Sequence, residues 1–168
     1  MPVLDSRLDP ASAASAENRA HGLALIAELR TLEAKPRARS AQSKPLFDKR
    51  GQLLPRERVA RLLDPGTPFL ELATIAGWLQ DSPDPALSMP GGGSIAGIGV
   101  VSGTRVMLVA DDAGIEAGAM QVRGSEKFQR AQDIALLNRL PFVHLVESAG
   151  ANLLKYKVEQ YIHGGFDQ

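Results

Sequence analysis

Two apolar runs rich in β-branched residues, SIAGIGVV and VMLVAD, follow one another with only the short segment 102–105 between them. Such runs on either side of a Ser-Gly turn predict a β-hairpin. Residues 121–138 then carry apolar side chains at helical spacing, and FVHLVE is a nearly continuous apolar run, typical of a strand covered on both faces. The order strand, strand, helix, strand predicts an α/β fold, continued by a turn and a further helix that begins at LLKYK.

The first part of the chain has a helical pattern. Residues 1–16 are small and polar and predict a loose arm. Residues 17–35 predict a helix that ends at Pro36, with an apolar face formed by Leu25, Ile26, Leu29 and Leu32. The basic segment 36–52 is interpreted as a solvated linker, with a surface for phosphates or a partner subunit as the alternative. A short helix is expected over 55–63, before a turn and a short strand.

Composition excludes several classes of function. The chain has 19 Lys and Arg against 19 Asp and Glu, so its charge gives no argument for nucleic acid or an anionic membrane as a partner. It has no cysteine, and its three histidines are far apart, so neither thiol chemistry nor a metal site is expected. No apolar run is long enough to cross a bilayer, and no signal peptide is recognised. We therefore expect a cytoplasmic protein.

The segment GGGSIA matches the loose form G-x-G-x-x-A of a dinucleotide-binding loop. That loop has to follow a strand and open a helix, because the helix N-terminus binds the pyrophosphate. Here the segment follows a proline-rich loop and opens a strand. We interpret the glycines as a tight entry into the hairpin and a place of close backbone approach.

Two side chains near the last strand are candidate catalysts. Ser148 lies in VESAG, which is close to the G-x-S-x-G nucleophile motif but has valine in place of the first glycine. The other members of a triad would have to come from the residues after Gly150, where the candidates are Glu159, His163 and Asp167. His144 is interpreted as a core histidine with its polar atoms satisfied, while a catalytic role stays open.

The turn SAGAN is a further candidate site. Its small residues allow a sharp change from strand to helix, and the first backbone N–H groups of a helix have no partner inside it. Such N–H groups can stabilise negative charge on a carbonyl oxygen. A plain strand-to-helix turn is an equally open interpretation.

Three blocks occur in order between about Pro45 and Gly165: LLPRERVARLLDPGTPFLEL, GGGSIAGIGVVSG and RAQDIALLNRLPFVHLVESAGANL. Together they resemble the carboxyltransferase β-subunits of biotin-dependent acyl-CoA carboxylases, above all those that act on methylcrotonoyl-CoA and geranyl-CoA. The resemblance implies a crotonase-like fold, in which ββα units wind into a spiral. Residues 66–168 would be an incomplete N-terminal portion of this domain, preceded by a helical segment over 17–65.

The resemblance also implies a reaction. CO2 would pass from carboxybiotin to a carbon that the acyl-CoA thioester makes acidic, through an enolate held by backbone N–H groups. The biotin would be carried by a partner α-subunit that combines biotin carboxylase and biotin carrier. The expected partners are therefore acyl-CoA, this α-subunit and further copies of the chain in a homo-oligomer.

Site residues follow from the resemblance residue by residue. SAGAN matches an S-G-G-A-N/R turn, so the backbone N–H groups of Gly150 and Ala151 are the expected oxyanion donors. A loop that reads V-K-G-G in the family has Glu116 in place of its lysine, which would repel the anionic CoA. Further contacts to the acyl-CoA are expected from Gly118, Ala119, Ser148, Ala149 and, for the phosphates, Lys127 and Arg130. An exposed basic helix face is the alternative interpretation of these two basic residues.

Members of this family continue with a second Gly-Gly loop and a C-terminal domain that binds biotin, and the chain has neither. We therefore expect it to be inactive alone, as a fragment, a truncated product or a short paralogue. A non-catalytic protein for acyl-CoA binding or assembly is the alternative, and a crotonase-type hydratase or isomerase is a further one. An uncovered apolar sheet face would also predict self-association.

Overall fold

The computed structural model describes residues 8–80 and 82–150. The chain divides into two compact units, with the boundary between Leu32 and Glu33. The helices and strands are α1 (Ala13–Ala41), α2 (Lys44–Lys49), α3 (Pro55–Leu62), β1 (Leu70–Leu72), β2 (Ser94–Val101), β3 (Thr104–Asp111), α4 (Val122–Leu137) and β4 (Phe142–Leu145). The predicted order strand, strand, helix, strand is therefore confirmed, and the helix predicted after the last turn lies outside the described residues.

Helix α1 continues through Pro36, where the sequence predicted its end. A proline inside a helix removes one backbone hydrogen bond, so other contacts have to hold the turns that follow. Ser40 is buried, and its hydroxyl donates to Asp112 Oδ1 over 2.6 Å. Ser43 Oγ donates to the carbonyl of Gly114 over 2.9 Å. The segment interpreted as a linker thus contains the end of α1 and the whole of α2, and hydrogen bonds attach it to the rest of its unit.

The hairpin of β2 and β3 turns at Ser102 and Gly103, whose φ angles are 49° and 74°. Positive φ at both central residues is the geometry of a type I′ turn, which suits the twist of antiparallel strands. Both turn N–H groups donate to the carboxylate of Asp64, each over 2.7 Å. The hairpin predicted from the sequence is therefore confirmed, and Asp64 attaches it to the end of α3.

The strands form one sheet in the order β1-β2-β3-β4, antiparallel except for the parallel pair β3 and β4. Alternate side chains of β3 point to opposite faces of the sheet. One face packs against α3 through Val59, Ile95, Val106, Leu108 and Ala110. The other packs against α4 through Ala96, Met107, Val109, Ala131 and Ala135. The sheet therefore lies between two helices.

Strand β4 is half-buried along its whole length, although its sequence predicted a strand covered on both faces. Its side chains do pack on both sides, with Val143 and Leu145 toward α3 and Phe142 toward α4. Among the described residues, however, β4 has β3 as its single strand neighbour.

Within residues 8–80 and 82–150, no helix has the length and apolar character needed to cross a membrane.

Candidate functional site

The turn that follows β4 lies against the loop 115–120, which precedes α4. The hydrogen bonds between them run from Ala149 N to Ala117 O (3.1 Å), from Met120 N to Gly150 O (2.9 Å) and from Ser148 Oγ to Gly118 O (2.6 Å). The two segments that the family resemblance assigned to acyl-CoA binding are therefore in direct contact.

The loop 115–120 reaches this contact through a left-handed backbone. Glu116, Ala117 and Gly118 have φ angles of 48°, 55° and 70°. A Cβ atom on Gly118 would lie 2.2 Å from the carbonyl oxygen of Glu147, so no other residue fits there without a shift. Gly118 is thus required both by its backbone angle and by the close approach of Glu147, which follows β4.

Replacing Ala117 by glycine is expected to raise the free energy of unfolding by about 1 kcal/mol. A left-handed alanine carries a steric cost that glycine avoids, and this gain exceeds the extra backbone entropy that glycine loses on folding. Urea denaturation of the chain and its variant measures the difference. Ala119→Gly is the matched control, because Ala119 has an ordinary φ of −60° and its replacement should lower stability. Equal changes at both positions would contradict the proposed strain.

A cavity of about 60 Å³ lies beside the turn. It is bounded by the glycine loop before β2, the end of β3, the start of α4, β4 and the turn itself. Residues that contribute to it include Ser94, Asp111, Ala119, Phe128, His144 and Ser148. This exceeds the roughly 10–15 Å³ that a single water-sized group needs, so the cavity can admit a small group.

The sequence favoured the interpretation of His144 as a core histidine, but in the structure this residue is only half-buried. Its Nε2 lies 3.1 Å from Asp111 Oδ1, and its side chain is 25% exposed. The other carboxylate oxygen of Asp111 accepts the backbone N–H of Glu147 over 3.1 Å. Sequence reasoning missed Asp111. The order of the strands could have indicated it. Because β3 and β4 pair in parallel, the carboxyl ends of both strands, which carry Asp111 and His144, lie side by side.

Among the described residues, the hydroxyl of Ser148 forms hydrogen bonds only with backbone groups. Its hydroxyl donates to the Gly118 carbonyl and accepts the N–H of Gly150 over 3.1 Å. A carbonyl oxygen cannot take up the hydroxyl proton, so this arrangement does not support Ser148 as an activated nucleophile. The remaining triad candidates, Glu159, His163 and Asp167, lie outside the described residues.

The N–H groups at the turn have partners, where the sequence predicted unpaired ones. That of Ala149 donates to Ala117 O, and that of Gly150 donates to Ser148 Oγ. Gly150 is exposed and has a φ of 91°. A ligand oxygen could replace the Ser148 hydroxyl as the acceptor of its N–H. Ala151, the other expected donor, lies outside the described residues.

Lys127 is buried, with 5% exposure, and so does not lie on the exposed basic face that was one interpretation of α4. Its ammonium donates to the carbonyl oxygens of Gly91 (3.0 Å) and Ser94 (2.6 Å). In this arrangement Lys127 attaches the glycine loop to α4 and is turned away from a phosphate in solvent. Arg130 is exposed on the same helix and stays a candidate for phosphate binding.

A group of charged side chains surrounds Lys127. Burial lowers the pKa of Lys127 to about 8, with Glu71 and Asp112 opposing the effect of burial and Arg56 adding to it. Burial alone would raise the pKa of Glu71, but its hydrogen bond to Arg56 and the neighbouring positive charges lower it. Arg56 binds Glu71 through both guanidinium Nη atoms, at 3.0 and 2.7 Å. This cluster connects α3, β1 and α4 beneath the glycine loop.

Burial raises the pKa of Asp112, although hydrogen bonds from Ser40 and the N–H of Gly114 oppose the shift. Those bonds connect the end of α1 to the segment after β3. Across residues 8–80 and 82–150, no group of three or more His, Cys, Asp or Glu side chains is arranged to hold a metal ion.

The sheet with helices on both faces and the turn docked on a left-handed loop match a known domain. Residues 48–165 match the model of the carboxyl transferase domain, and the chain belongs to this family. Its fold is the crotonase-like fold of the solved carboxyltransferases.

The relatives are β-subunits of acyl-CoA carboxylases. The chain is 51% identical over 106 residues to the biotin-dependent 3-methylcrotonyl-coenzyme A carboxylase beta1 subunit of Mycobacterium tuberculosis, covering 62% of this chain and 19% of that protein. It is 40% identical over 152 residues to the probable mitochondrial methylcrotonoyl-CoA carboxylase beta chain of Drosophila melanogaster, covering 90% and 26%. Its structure matches the β-subunit of Pseudomonas aeruginosa geranyl-CoA carboxylase with a TM-score of 0.84 at 45% identity, covering 97% and 30%. The chain thus spans about a fifth to a third of the length of these relatives.

Proposed function

We propose that this chain forms the acyl-CoA-binding part of a carboxyltransferase that transfers CO2 from carboxybiotin to a branched or unsaturated acyl-CoA. The observation that carries the proposal is the docking of the turn 148–150 on the loop 115–120, beside a cavity that both segments help to line. The names of the relatives, which act on methylcrotonoyl-CoA and geranyl-CoA, support this substrate class.

In this proposal the acyl group occupies the cavity, and the thioester oxygen meets the backbone N–H groups of Gly150 and Ala151. These N–H groups would stabilise the charge of the enolate by donating hydrogen bonds to its oxygen, with that of Gly150 released from Ser148 Oγ. Small side chains at Ala119 and Ala149 let the thioester approach, and Arg130 is available to the CoA phosphates. Lys127 supports the site indirectly, because its hydrogen bonds attach the glycine loop to α4.

The biotin of the proposed reaction is carried by a partner α-subunit, and the chain acts as part of a homo-oligomer in the cytoplasm. Exposed apolar side chains on α1 support an interface between copies, since large patches of this kind mark contact surfaces. They are Leu23, Leu25, Ile26 and Leu29, which are 52%, 52%, 51% and 36% exposed.

A non-catalytic role in acyl-CoA binding or assembly is the second candidate. Glu116 favours it, because its exposed carboxylate lies in the loop that contacts the turn and would repel the anionic CoA. Binding of acyl-CoA without any carboxylation, in the presence of a charged biotin carrier, would distinguish this role from the first.

Isothermal titration of the 168-residue chain with methylcrotonoyl-CoA is expected to show micromolar binding. Replacing Gly150 by valine should weaken it at least tenfold, because the side chain would occupy the approach of the thioester. Gly66→Val is the matched control: Gly66 also has a positive φ (76°, against 91° at Gly150) and open space around it, but it follows α3. A folded chain without binding, or an equal loss in both variants, would contradict the proposal.

A further inference from the structure

The pair formed by Asp111 and His144 is a part of the cavity wall to which the proposed function assigns no task. The two residues are 33 positions apart and meet because β3 and β4 run parallel. Both line the cavity beside the docked turn. The imidazole also packs against Phe128, with ring centroids 4.9 Å apart. His144 therefore has a defined position next to any ligand that occupies the cavity.

Asp111 determines which nitrogen of His144 carries the proton. An ionised carboxylate only accepts hydrogen bonds, so the neutral imidazole donates from Nε2 to Asp111 Oδ1 and keeps a lone pair on Nδ1. The carboxylate cannot rotate freely, because Oδ2 is bonded to the backbone N–H of Glu147. This is how a carboxylate orients a histidine that acts as a base.

The lining of the cavity also includes a hydroxyl-bearing residue, Ser94. Within the described ranges, the buried hydroxyl oxygen of Ser94 makes no hydrogen bond. A buried polar group without a partner is costly, so a ligand carbonyl that accepts from this hydroxyl would be favoured. The lining of this small cavity thus includes the hydroxyl-bearing Ser94 and the imidazole of His144.

We propose that His144, oriented by Asp111, accepts a proton from the carbon acid of an acyl-CoA bound in the cavity, so that the chain exchanges this proton with solvent without biotin. The inference rests on the proposed function, because it needs the acyl group in this cavity. With methylcrotonoyl-CoA, the lone pair of His144 takes a proton from the γ-methyl carbon. The C–H electron pair moves through the conjugated system to the thioester oxygen and gives a dienolate. The imidazolium then returns a proton that has exchanged with water.

The experiment incubates the 168-residue chain with methylcrotonoyl-CoA in D2O and follows deuterium uptake at the methyl carbons by NMR. The wild-type chain is expected to catalyse uptake. His144→Gln should slow it by about 100-fold, which is the lower range for a general base, and leave the Kd for the thioester within about threefold. His21→Gln is the matched control, because His21 is exposed on α1, and it should exchange at the wild-type rate.

Asp111→Asn tests the positioning role separately. An asparagine side chain presents an accepting oxygen at one end and a donating NH2 group at the other, so the proton of His144 should redistribute between its two nitrogens. We expect a change in the ¹⁵N chemical shifts of the imidazole together with slower deuterium uptake by the substrate. A loss of packing alone would not change both measurements together. This variant also keeps the proposal testable if His144→Gln does not fold.

The outcomes are distinguishable. Binding without exchange by the wild-type chain, or full exchange by a folded His144→Gln variant, would overturn the inference and leave the proposed function intact. No binding of the thioester by the folded wild-type chain would overturn both.

Discussion

Replacing Gly118 by alanine is expected to lower the free energy of unfolding by about 3 kcal/mol and to abolish acyl-CoA binding. The new Cβ would lie 2.2 Å from the carbonyl oxygen of Glu147. This oxygen belongs to the backbone and cannot easily move, because the N–H of the same residue is bonded to Asp111. The loop 115–120 and the turn would therefore have to separate, and the hydrogen bonds between them would be lost.

Gly103→Ala separates this clash from backbone strain. Gly103 has nearly the same φ as Gly118, 74° against 70°, but a Cβ there would meet nothing within 4 Å. We expect a cost of about 1 kcal/mol from the left-handed backbone alone. Urea denaturation of both variants, followed by titration of each with methylcrotonoyl-CoA, measures the two effects. Equal losses of stability would show that the contact with Glu147 contributes nothing.

The second large effect is a dependence of stability on pH that originates at Lys127. Its pKa is about 8 in the folded chain, below the ordinary value of 10.5. Between these values the unfolded chain binds more protons than the folded chain, so the free energy of unfolding from this group rises with pH. The full effect of the shift is about 3 kcal/mol, present above pH 10.5 and lost as the pH falls through 8.

Lys127→Met isolates this contribution. The variant also removes the ammonium that donates to the carbonyls of Gly91 and Ser94, so its stability at any one pH is not informative. The informative quantity is the difference in unfolding free energy between wild type and variant from pH 7 to pH 10, measured in urea. This difference should shift by about 2 kcal/mol in favour of the wild type. Lys49→Met, at an exposed position of α2, is the control for the loss of a lysine elsewhere in the chain. A flat difference for Lys127→Met would contradict the lowered pKa.

The elements around the site could be predicted because their signals are local. Alternating apolar residues and a Ser-Gly turn predict β2 and β3, and helical spacing predicts α4 almost to its ends. The three ordered blocks, which no single motif could replace, indicate the carboxyltransferase family, and the domain match confirms it.

Other features depend on contacts between distant parts of the chain, and only the tertiary structure decided them. Helix α1 continues past Pro36, and its last turn is held by the hydrogen bond from Ser40 to Asp112, 72 residues away. Lys127 is buried because the carbonyls of the glycine loop replace its water, which helical spacing cannot indicate. The pairing of Asp111 with His144 follows from the parallel register of β3 and β4. The sequence by itself determined the helices and strands around the site and the family. The partners of the polar side chains were decided by the tertiary structure, because these partners come from residues that are distant in sequence and meet only in the folded chain.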